Sequence, residues 1–296
     1  MSVPAAYLTV ILIWSTTPLA IQWSLDGDSF LLALTARMAI GVVICFALLK
    51  ILKIRMPLHR DALETYLAAG LGIFGAMFCV YWGARYIPSG LIALLFGLQP
   101  MIISIAAAVW LGERGFTPNK VLGMLLGLIG LATIFGFGLT IGAHSWAGIG
   151  VVLVAVIWQS VSLVWVKRIG AKIPALAITS GALTLVLPLC AISWAIFDGV
   201  VPESITPRAG WAIVYLGVFG SVIGFNLYFY LIKQLEAGQL ALITLITPVS
   251  ALLLGRMLNG EKIEVAVLLG AACILSGLVL HQWQALAAAT GLRRGA

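Results

Sequence analysis

Residues 90–114, GLIALLFGLQPMIISIAAAVWLGER, return 148 positions further along the chain as residues 238–262, GQLALITLITPVSALLLGRMLNGEK. Identical residues keep the two copies in register, among them Gly90 and Gly238, Ala93 and Ala241, Pro100 and Pro248, Gly112 and Gly260, and Glu113 and Glu261. Between its glycines each copy is apolar for about 20 residues, the length of helix that crosses a hydrocarbon layer of about 30 Å. The duplicated segment therefore predicts a membrane-spanning helix that occurs once in each half of the chain.

The composition extends this interpretation to the whole chain. Of 296 residues, 62% are hydrophobic and 9% are charged, and the mean hydropathy is +1.13, unlike water-soluble domains. Breaks at charges, Pro and Gly predict ten transmembrane helices, near residues 4–23, 31–50, 65–85, 88–110, 120–139, 146–166, 175–197, 209–232, 236–258 and 263–284. The first block lacks a basic leader, so we expect it to be retained and not removed as a signal peptide.

Further pairs of residues show that the duplication covers the whole chain. Trp14 pairs with Trp158, the stretch 71–75 pairs with 216–220, and Gly123 and Gly130 pair with Gly270 and Gly277. The sequence thus predicts two repeats, residues 1–140 and 141–296, with five helices each. Because five is odd, the second repeat must enter the membrane from the opposite side. The predicted fold is an all-α integral membrane protein of ten transmembrane helices in two inverted five-helix repeats.

The basic residues orient the predicted helices. The net charge of +7 comes from Lys and Arg in alternate loops, which argues against a single basic face for nucleic acid. The loops richest in these residues include Lys50, Lys53, Arg55, Arg60, Arg114, Lys120, Lys167, Arg168 and Lys172. Since cytoplasmic loops carry the excess of Lys and Arg, both termini are expected in the cytoplasm.

The repeated pattern resembles a known family of transporters. A mid-helix Pro, thirteen residues later a Gly-Glu pair and then a glycine-spaced helix occur twice, and IWSTTP at 13–18 and IWQS at 157–160 resemble the openings of its two repeats. The chain is similar to the EamA family of the drug/metabolite transporter superfamily, and within it to the YddG-like bacterial amino-acid exporters. The resemblance implies a bacterial inner-membrane exporter of small metabolites, most plausibly neutral and aromatic amino acids, that works by alternating access. Drug, nucleotide-sugar and sugar-phosphate carriers of the superfamily are the alternative.

Polar and aromatic side chains near mid-membrane are candidates for the solute site. We expect substrate binding by Trp14, Phe78, Tyr81, Trp82, Gln99, Trp158, Gln159, Asn226 and Tyr230. Trp and Tyr would form flat walls, whereas Gln and Asn would orient the amino and carboxylate groups of the solute. Three alternatives remain open: helix packing for the Trp residues, an interfacial aromatic belt for the span near 65–85, and plain interhelical hydrogen bonding for the polar face of the sixth span.

Proline and glycine suggest where the helices bend and where they pack. Pro100 and Pro248 each remove a backbone hydrogen bond near mid-membrane, so both are predicted to bend their helices and to act as hinges, with a static kink as the alternative. Gly123 and Gly127 form a GxxxG pattern that favours close helix packing.

Charged residues are scarce inside the predicted spans. All ten acidic residues lie in loops or at span ends, so we expect a neutral aromatic passage without proton coupling. Arg37 is the one charged residue placed inside a predicted span. We expect it either to snorkel to the membrane surface or form an ion pair, or to bind a carboxylate of the solute. Glu113 and Glu261 are interpreted as structural caps or ion-pair partners, or else as locks of a closed state.

The remaining expectations concern partners and chemistry. The sequence places no cluster of carboxylates, His or Cys at one depth of the membrane, as a catalytic or metal site would need. We therefore expect that the chain is not an enzyme, holds no metal and uses no cofactor. Cys45, Cys79, Cys190 and Cys273 lie in separate spans and are read as free thiols. The predicted partners are amino-acid substrates and membrane lipid, with no nucleic acid, and the protein is expected to function as a monomer.

Overall fold

The computed structural model describes residues 2–26, 29–112, 117–137, 143–202, 204–234 and 237–289. Throughout these ranges the regular structure is helical, without strands. The helices are α1 (Val3–Ser24), α2 (Phe30–Ile51), α3 (Arg60–Gly83), α4 (Ser89–Phe96), α5 (Gln99–Leu111), α6 (Pro118–Phe137), α7 (Ala143–Ile169), α8 (Ala175–Phe197), α9 (Pro207–Tyr215), α10 (Phe225–Gln234), α11 (Ala237–Asn259), α12 (Val265–His281) and α13 (Trp283–Ala289). A π-helical turn region, the π segment (Leu216–Gly224), joins α9 to α10. The predicted repeat boundary at 140 and 141, and Glu113, lie outside the described residues.

Several of these helices suit a membrane. Within the described residues, seven stretches are long and apolar enough to cross one, and three shorter apolar helices, Pro118–Ile134, Ile243–Asn259 and Val265–His281, accompany them. Each of the ten predicted spans overlaps one of these stretches. The chain is therefore an all-helical, multi-pass membrane protein.

Local sequence sets the helix ends. Ser29, His59 and Thr206 each precede a helix, and their side chains accept the backbone N–H three residues later, which satisfies one donor of the first turn. Gly112 follows α5 and Gly260 follows α11, with φ of 66° and 64°. A left-handed residue is the usual way to end a helix, and glycine adopts it without a steric penalty. The repeat-equivalent pair Gly112 and Gly260 thus ends repeat-equivalent helices.

The two mid-span prolines behave differently. Immediately before Pro100 the helix is interrupted, since α4 ends at Phe96 and α5 begins at Gln99. The N–H groups of Leu98 and Met101 bond carbonyls only three residues back, at 3.1 and 3.0 Å, so the chain tightens there. By contrast, α11 continues without interruption through Pro248. The structure therefore breaks one of the two helices, whereas the sequence predicted the same bend in both.

The eighth predicted span contains an element that the sequence did not predict. Nine residues, Leu216–Gly224, form the π segment in place of a continuous α-helix. A π-turn holds more residues than an α-turn, so the helix faces after it are rotated relative to those before it. This span carries the stretch 216–220, the repeat counterpart of 71–75 in α3, which stays α-helical.

Glycines allow the closest helix contacts. A Cβ at Gly130 would lie 2.6 Å from the Gly270 carbonyl oxygen, and one at Gly270 would lie 2.7 Å from the Gly130 oxygen. Gly123 and Gly277 meet in the same way. Along α6 and α12 these pairs form what we call the glycine seam (Gly123, Gly130, Gly270, Gly277), in which backbone touches backbone. Close packing, as expected from the glycine spacing, is thus what the structure has.

Candidate substrate site

A cavity of about 150 Å³ lies in the middle of the helical bundle. Its walls come from α1, α2, α3, α4, α5, α7, the π segment, α10 and α11, so both halves of the chain contribute. An engineered apolar cavity of about this volume binds benzene, which sets the scale. The cavity is therefore large enough for an aromatic ring or a small metabolite.

The cavity wall is mostly apolar with a few polar groups. Its polar and aromatic lining residues are Trp14, Thr17, Arg37, Phe96, Gln99, Gln159, Ser162, Phe225, Tyr228, Thr244 and Thr247. No acidic residue is among the described residues that line it. An apolar pocket with a few directed polar groups is the usual form of a small-molecule site.

Three of the predicted binding residues line this cavity: Trp14, Gln99 and Gln159. The Trp14 ring packs on Tyr228 with centroids 4.5 Å apart and planes tilted by 50°. Gln99 and its repeat counterpart Thr247 both line the wall, each one residue before its proline. The Gln159 Oε1 atom is buried and has no hydrogen-bond partner within the described part of the chain. A buried acceptor without a partner, on a residue that lines a cavity, suits a ligand that donates.

Trp158 lies elsewhere, and the expectation that it faces the cavity is wrong. It is 50% exposed on the outside of the bundle, and its indole Nε1 donates to the Leu71 carbonyl of α3 at 2.8 Å. The ring covers Gly75, where any side chain would collide with it. One turn further, the Ser162 hydroxyl donates to the Ala68 carbonyl at 2.8 Å.

The same face of α7 ends at Trp165, whose Nε1 donates to Glu64 at 3.1 Å. The polar face of the sixth predicted span is thus a hydrogen-bonded contact with α3. Of the alternatives for this face, plain interhelical hydrogen bonding describes it. Gln159 lies beside this contact. Of the polar and aromatic residues on this part of α7, Gln159 and Ser162 also line the cavity.

The predicted aromatic stripe of α3 does not line the cavity. Phe78 packs between Phe30 and Phe74 with ring centroids 6.0 Å apart in both pairs. Trp82 packs on Tyr86 at 4.8 Å. Tyr81 is fully buried, its hydroxyl has no hydrogen-bond partner among the described residues, and its ring lies 6.0 Å from the Arg37 guanidinium. These rings support the bundle and do not form a wall of the cavity.

Asn226 and Tyr230 also lie away from the cavity. Tyr230 packs against a small cluster from α1, α10 and α11, formed by Ala6, Val10, Ile11, Leu231 and Ile243. The cavity face of α10 carries Phe225 and Tyr228 instead.

Arg37 corrects the expectation of a neutral passage. Its side chain is 1% exposed and lines the cavity, so it does not snorkel to the membrane surface. Its Nε donates to the Ser221 hydroxyl of the π segment at 2.9 Å, and its Nη1 lies 3.7 Å from the Met77 sulfur. A guanidinium stays charged in proteins, so the cavity has a cationic wall.

Sequence reasoning missed Tyr228, Thr17 and Thr244, which also line the cavity. Thr17 sits one turn from Trp14 on α1, and that spacing was visible in the sequence. Tyr228 lies midway between Asn226 and Tyr230, the two residues predicted on this span. Thr244 lies three residues before Thr247, on the same face of α11, and could have been found from it.

A group of polar side chains closes one end of the bundle. Glu261, in the loop between α11 and α12, accepts from the Ser89 hydroxyl at 2.6 Å, the Ser89 N–H at 3.1 Å and the Gly90 N–H at 3.3 Å. It therefore caps the N-terminus of α4, a helix of the other half of the chain, and not the N-terminus of α12, the helix that follows it in the sequence. A carboxylate at a helix N-terminus is favourable because free N–H groups and the helix dipole point at it.

Other side chains extend this end cluster, which we define as Gln22, Trp23, Asp26, Ser89, Arg208, Asn259 and Glu261. Asn259 accepts from Trp23 at 3.1 Å and from Arg208 at 2.9 Å, and donates to Gln22 at 3.1 Å. Arg208 also pairs with Asp26 at 3.4 Å. The end cluster joins α1, α4, α9 and the end of α11.

The described residues contain no group of three or more His, Cys, Asp or Glu side chains that could hold a metal ion. Cys45, Cys79, Cys190 and Cys273 are free thiols. The chemistry available in the cavity is therefore that of aromatic surfaces, hydroxyls, amides and one guanidinium.

Comparison with known proteins gives a consistent result. The model of the EamA-like transporter family matches residues 3–136 and again residues 146–281. An uncharacterized transporter of Bacillus subtilis, YoaV, is 26% identical over 279 residues, covering 93% of this chain and 94% of that protein. A probable terminal-alkyne amino-acid exporter of Streptantibioticus cattleyicolor is 28% identical over 283 residues, covering 93% and 91%.

A solved crystal structure has the same fold, with a TM-score of 0.68 at 23% identity, covering 96% of this chain and 98% of that one. The family and these relatives are transporters and not enzymes. The two matches of the family model together span most of the sequence, and the chain belongs to the EamA-like transporter family.

Proposed function

We propose that the protein exports small metabolites, most plausibly neutral and aromatic amino acids, across the bacterial inner membrane by alternating access. The observation that carries the proposal is the central cavity, which both halves of the chain line with aromatic and uncharged polar side chains and one guanidinium. The substrate and membrane lipid would be its only partners, with the protein working as a monomer.

The proposed architecture is ten transmembrane helices in two inverted repeats. The glycine seam supports it. Gly123 meets Gly277 while Gly130 meets Gly270, so α6 and α12 run in opposite directions. By the sequence duplication, Gly123 corresponds to Gly270 and Gly130 to Gly277. The correspondence therefore converts the Gly123–Gly277 contact into the Gly270–Gly130 contact, which is the relation produced by a two-fold axis. Repeat-equivalent helices that are antiparallel across such an axis are what inverted topology requires.

The orientation follows from the basic loops. Lys53 and Arg55 follow α2, and Lys167 and Arg168 end α7, on the side that we assign to the cytoplasm. Both termini would then be cytoplasmic, and the end cluster would face outward. In this orientation the end cluster closes the external exit, and export requires it to open.

The cavity contents support an amino acid as solute. Trp14 and Tyr228 offer aromatic surfaces to an apolar side chain, and Gln99, Gln159 and Thr247 offer uncharged hydrogen bonds. One relative of the chain is named a probable terminal-alkyne amino-acid exporter, and its named solute is also an amino acid. A sugar phosphate is the rival solute, because Arg37 would meet its phosphate. A dianionic phosphate would leave excess negative charge beside a single guanidinium, whereas a carboxylate would be neutralised.

The alternation between states would use the break before Pro100. Gln99 lies on the cavity wall next to the interruption, so bending there changes the wall directly. No acidic residue lines the cavity among the described residues, so no titrating carboxylate is present there to carry a proton. We propose that the solute moves down its own gradient.

The test is transport by purified protein in liposomes loaded with labelled solutes. We expect efflux of L-phenylalanine, L-tryptophan and other neutral amino acids, at equal rates with and without an imposed pH gradient. Protein-free liposomes measure the passive leak. Efflux of a phosphorylated sugar without efflux of any amino acid would favour the rival solute. Efflux that occurs only with a proton gradient would overturn the uncoupled mechanism.

A further inference from the structure

Arg37 is a buried cation deep within α2. It is the eighth residue of a 22-residue helix, about 10 Å from the helix start at 1.5 Å per residue, and only 1% of its surface is exposed. Among the described residues, no carboxylate lies within ion-pair distance of its guanidinium. A charged side chain inside a membrane span is costly and normally has a partner or a functional task.

The neighbours of Arg37 hold it without neutralising it. Ser221 accepts from Nε at 2.9 Å, the Met77 sulfur is a weak acceptor at 3.7 Å from Nη1, and the Tyr81 ring lies 6.0 Å away. All three are uncharged. A guanidinium has five N–H donors in a fixed fork, so these contacts leave donor capacity and the full positive charge.

The π segment leaves space beside the guanidinium. Gly220, which also lines the cavity, lies next to Nη2, and a Cβ there would be 3.1 Å from it. A larger residue at position 220 would therefore press on the guanidinium. The glycine and the adjacent Ser221 together fix the guanidinium at the cavity wall.

A second residue that lines the same cavity has an unpaired hydrogen-bonding atom of the complementary kind. The Gln159 Oε1 atom is buried, lines the cavity and has no partner within the described residues. It is an acceptor, which suits an ammonium donor. The wall thus has a cationic fork for an anion, a neutral acceptor for a cation and the aromatic surfaces of Trp14 and Tyr228.

We infer, on the basis of the proposed function, that Arg37 is the carboxylate anchor of the substrate site and that Gln159 accepts from the substrate ammonium group. The guanidinium binds the two carboxylate oxygens through parallel N–H donors, the geometry in which Arg and a carboxylate fit best. The substrate class is then an α-amino acid with its carboxylate free. A solute without a carboxylate leaves the buried charge uncompensated and binds poorly.

The first experiment uses the unaltered protein in detergent and labelled L-phenylalanine. Unlabelled L-phenylalanine and L-phenylalaninamide compete for the site, and the two differ only in the carboxylate. We expect the amide to compete roughly 10- to 100-fold more weakly, as for loss of charge-assisted hydrogen bonds. Equal competition by the amide would overturn the assignment of Arg37. Absence of any L-phenylalanine binding would overturn the proposed function, and the anchor with it.

The second experiment changes the protein. Arg37→Gln should weaken L-phenylalanine binding by roughly the same factor and bring the acid and the amide to similar affinity. Arg85→Gln is the matched control, because Arg85 is exposed and its guanidinium lies over Phe30 and Tyr86 outside the cavity. Folding is checked by size-exclusion chromatography. Retained preference for the acid in a folded Arg37→Gln protein would show that Arg37 does not bind the carboxylate.

Discussion

Two equivalent stretches of the duplicated chain, residues 71–75 and 216–220, have the same Leu-Gly-x-Phe-Gly pattern and different backbones. In α3 the stretch is α-helical, and Gly72 and Gly75 face Ser162 and Trp158 of α7. In the second half it lies in the π segment. There Gly217 faces Ile40 and Gly220 faces Arg37, both on α2.

The difference explains why the two equivalent tryptophans separate. In the first half, the regular α3 presents its glycines to α7, and Trp158 covers them and bonds to Leu71. In the second half, the π segment turns its glycines towards α2, so Trp14 packs on Tyr228 and lines the cavity. Duplication preserves the residues, but one wide turn changes which helix they face. The π segment of the second half is the element that contacts Arg37 of the first half.

The largest expected effect is at Gly72. In Gly72→Ala the new methyl group would collide with the Ser162 Cβ, which cannot rotate away, so α3 and α7 must separate and break the α3–α7 hydrogen bonds. We expect most folded protein to be lost, measured as the monodisperse fraction after size exclusion. In Gly217→Ala the contact is less severe, 2.8 Å to the Ile40 Cβ, and a smaller loss is expected. The reverse order would contradict the packing difference.

The next largest effect is a difference in substrate affinity between variants of Trp14 and Trp158. Trp14→Ala should weaken L-phenylalanine binding about 10-fold, because an aromatic contact of roughly 0.5–1.5 kcal/mol and its apolar surface are removed. Trp158→Ala should leave that affinity within about twofold and lower the melting temperature, since it loses an interhelical hydrogen bond of about 1 kcal/mol. Competition binding and thermal unfolding of both variants measure this. If Trp14→Ala and Trp158→Ala lose the same affinity for L-phenylalanine, Trp158 belongs to the substrate site after all.

A smaller effect is expected where the halves meet at the end cluster. Glu261→Gln keeps the shape but removes the charge that caps α4, so the closed end should open more often. A membrane-impermeant maleimide should label Thr17→Cys, introduced into a cysteine-free chain, several-fold faster from outside. Asp198→Asn is the control, because Asp198 is a carboxylate at the end of α8 that is not part of the end cluster. An unchanged labelling rate would assign Glu261 to stability alone.

The smallest effect compares the prolines. Pro100→Ala restores an N–H that can bond the Phe96 carbonyl and close the interruption, so transport should slow a few-fold. Pro248→Ala acts in a helix that is already continuous, and its rate should change by less than about twofold. Efflux from liposomes at matched protein content measures both. If neither variant differs from the unaltered protein, the break is a static kink.

The helices could be predicted from the sequence because length, hydropathy and the positions of Gly and Pro locate them without reference to packing. Thus α8 spans residues 175–197 in both the prediction and the structure. The side chains that face the cavity were harder to predict. In helices that are apolar all round, a stripe of aromatic or polar residues does not say whether it faces a cavity or a neighbouring helix, and the stripes of Trp158 and Phe78 both face neighbouring helices.

Two further differences between prediction and structure concern the cavity face of α10 and the burial of Arg37. Asn226 and Tyr230 were predicted from their hydrogen-bonding groups, whereas the cavity face of α10 carries Phe225 and Tyr228. The π segment just before them has no distinct sequence signal. Arg37 lies near the end of a span in the sequence, which made snorkelling plausible. Only its burial against the Ser221 hydroxyl shows which way it points.

The glycine seam has an evolutionary consequence. A contact in which a helix meets its own duplicate across a two-fold axis is self-complementary, so it needs only one kind of surface. Under the inverted architecture proposed above, a protein with a single copy would form the same contact between two molecules inserted in opposite senses. Each glycine of that surface would then serve both sides of the contact.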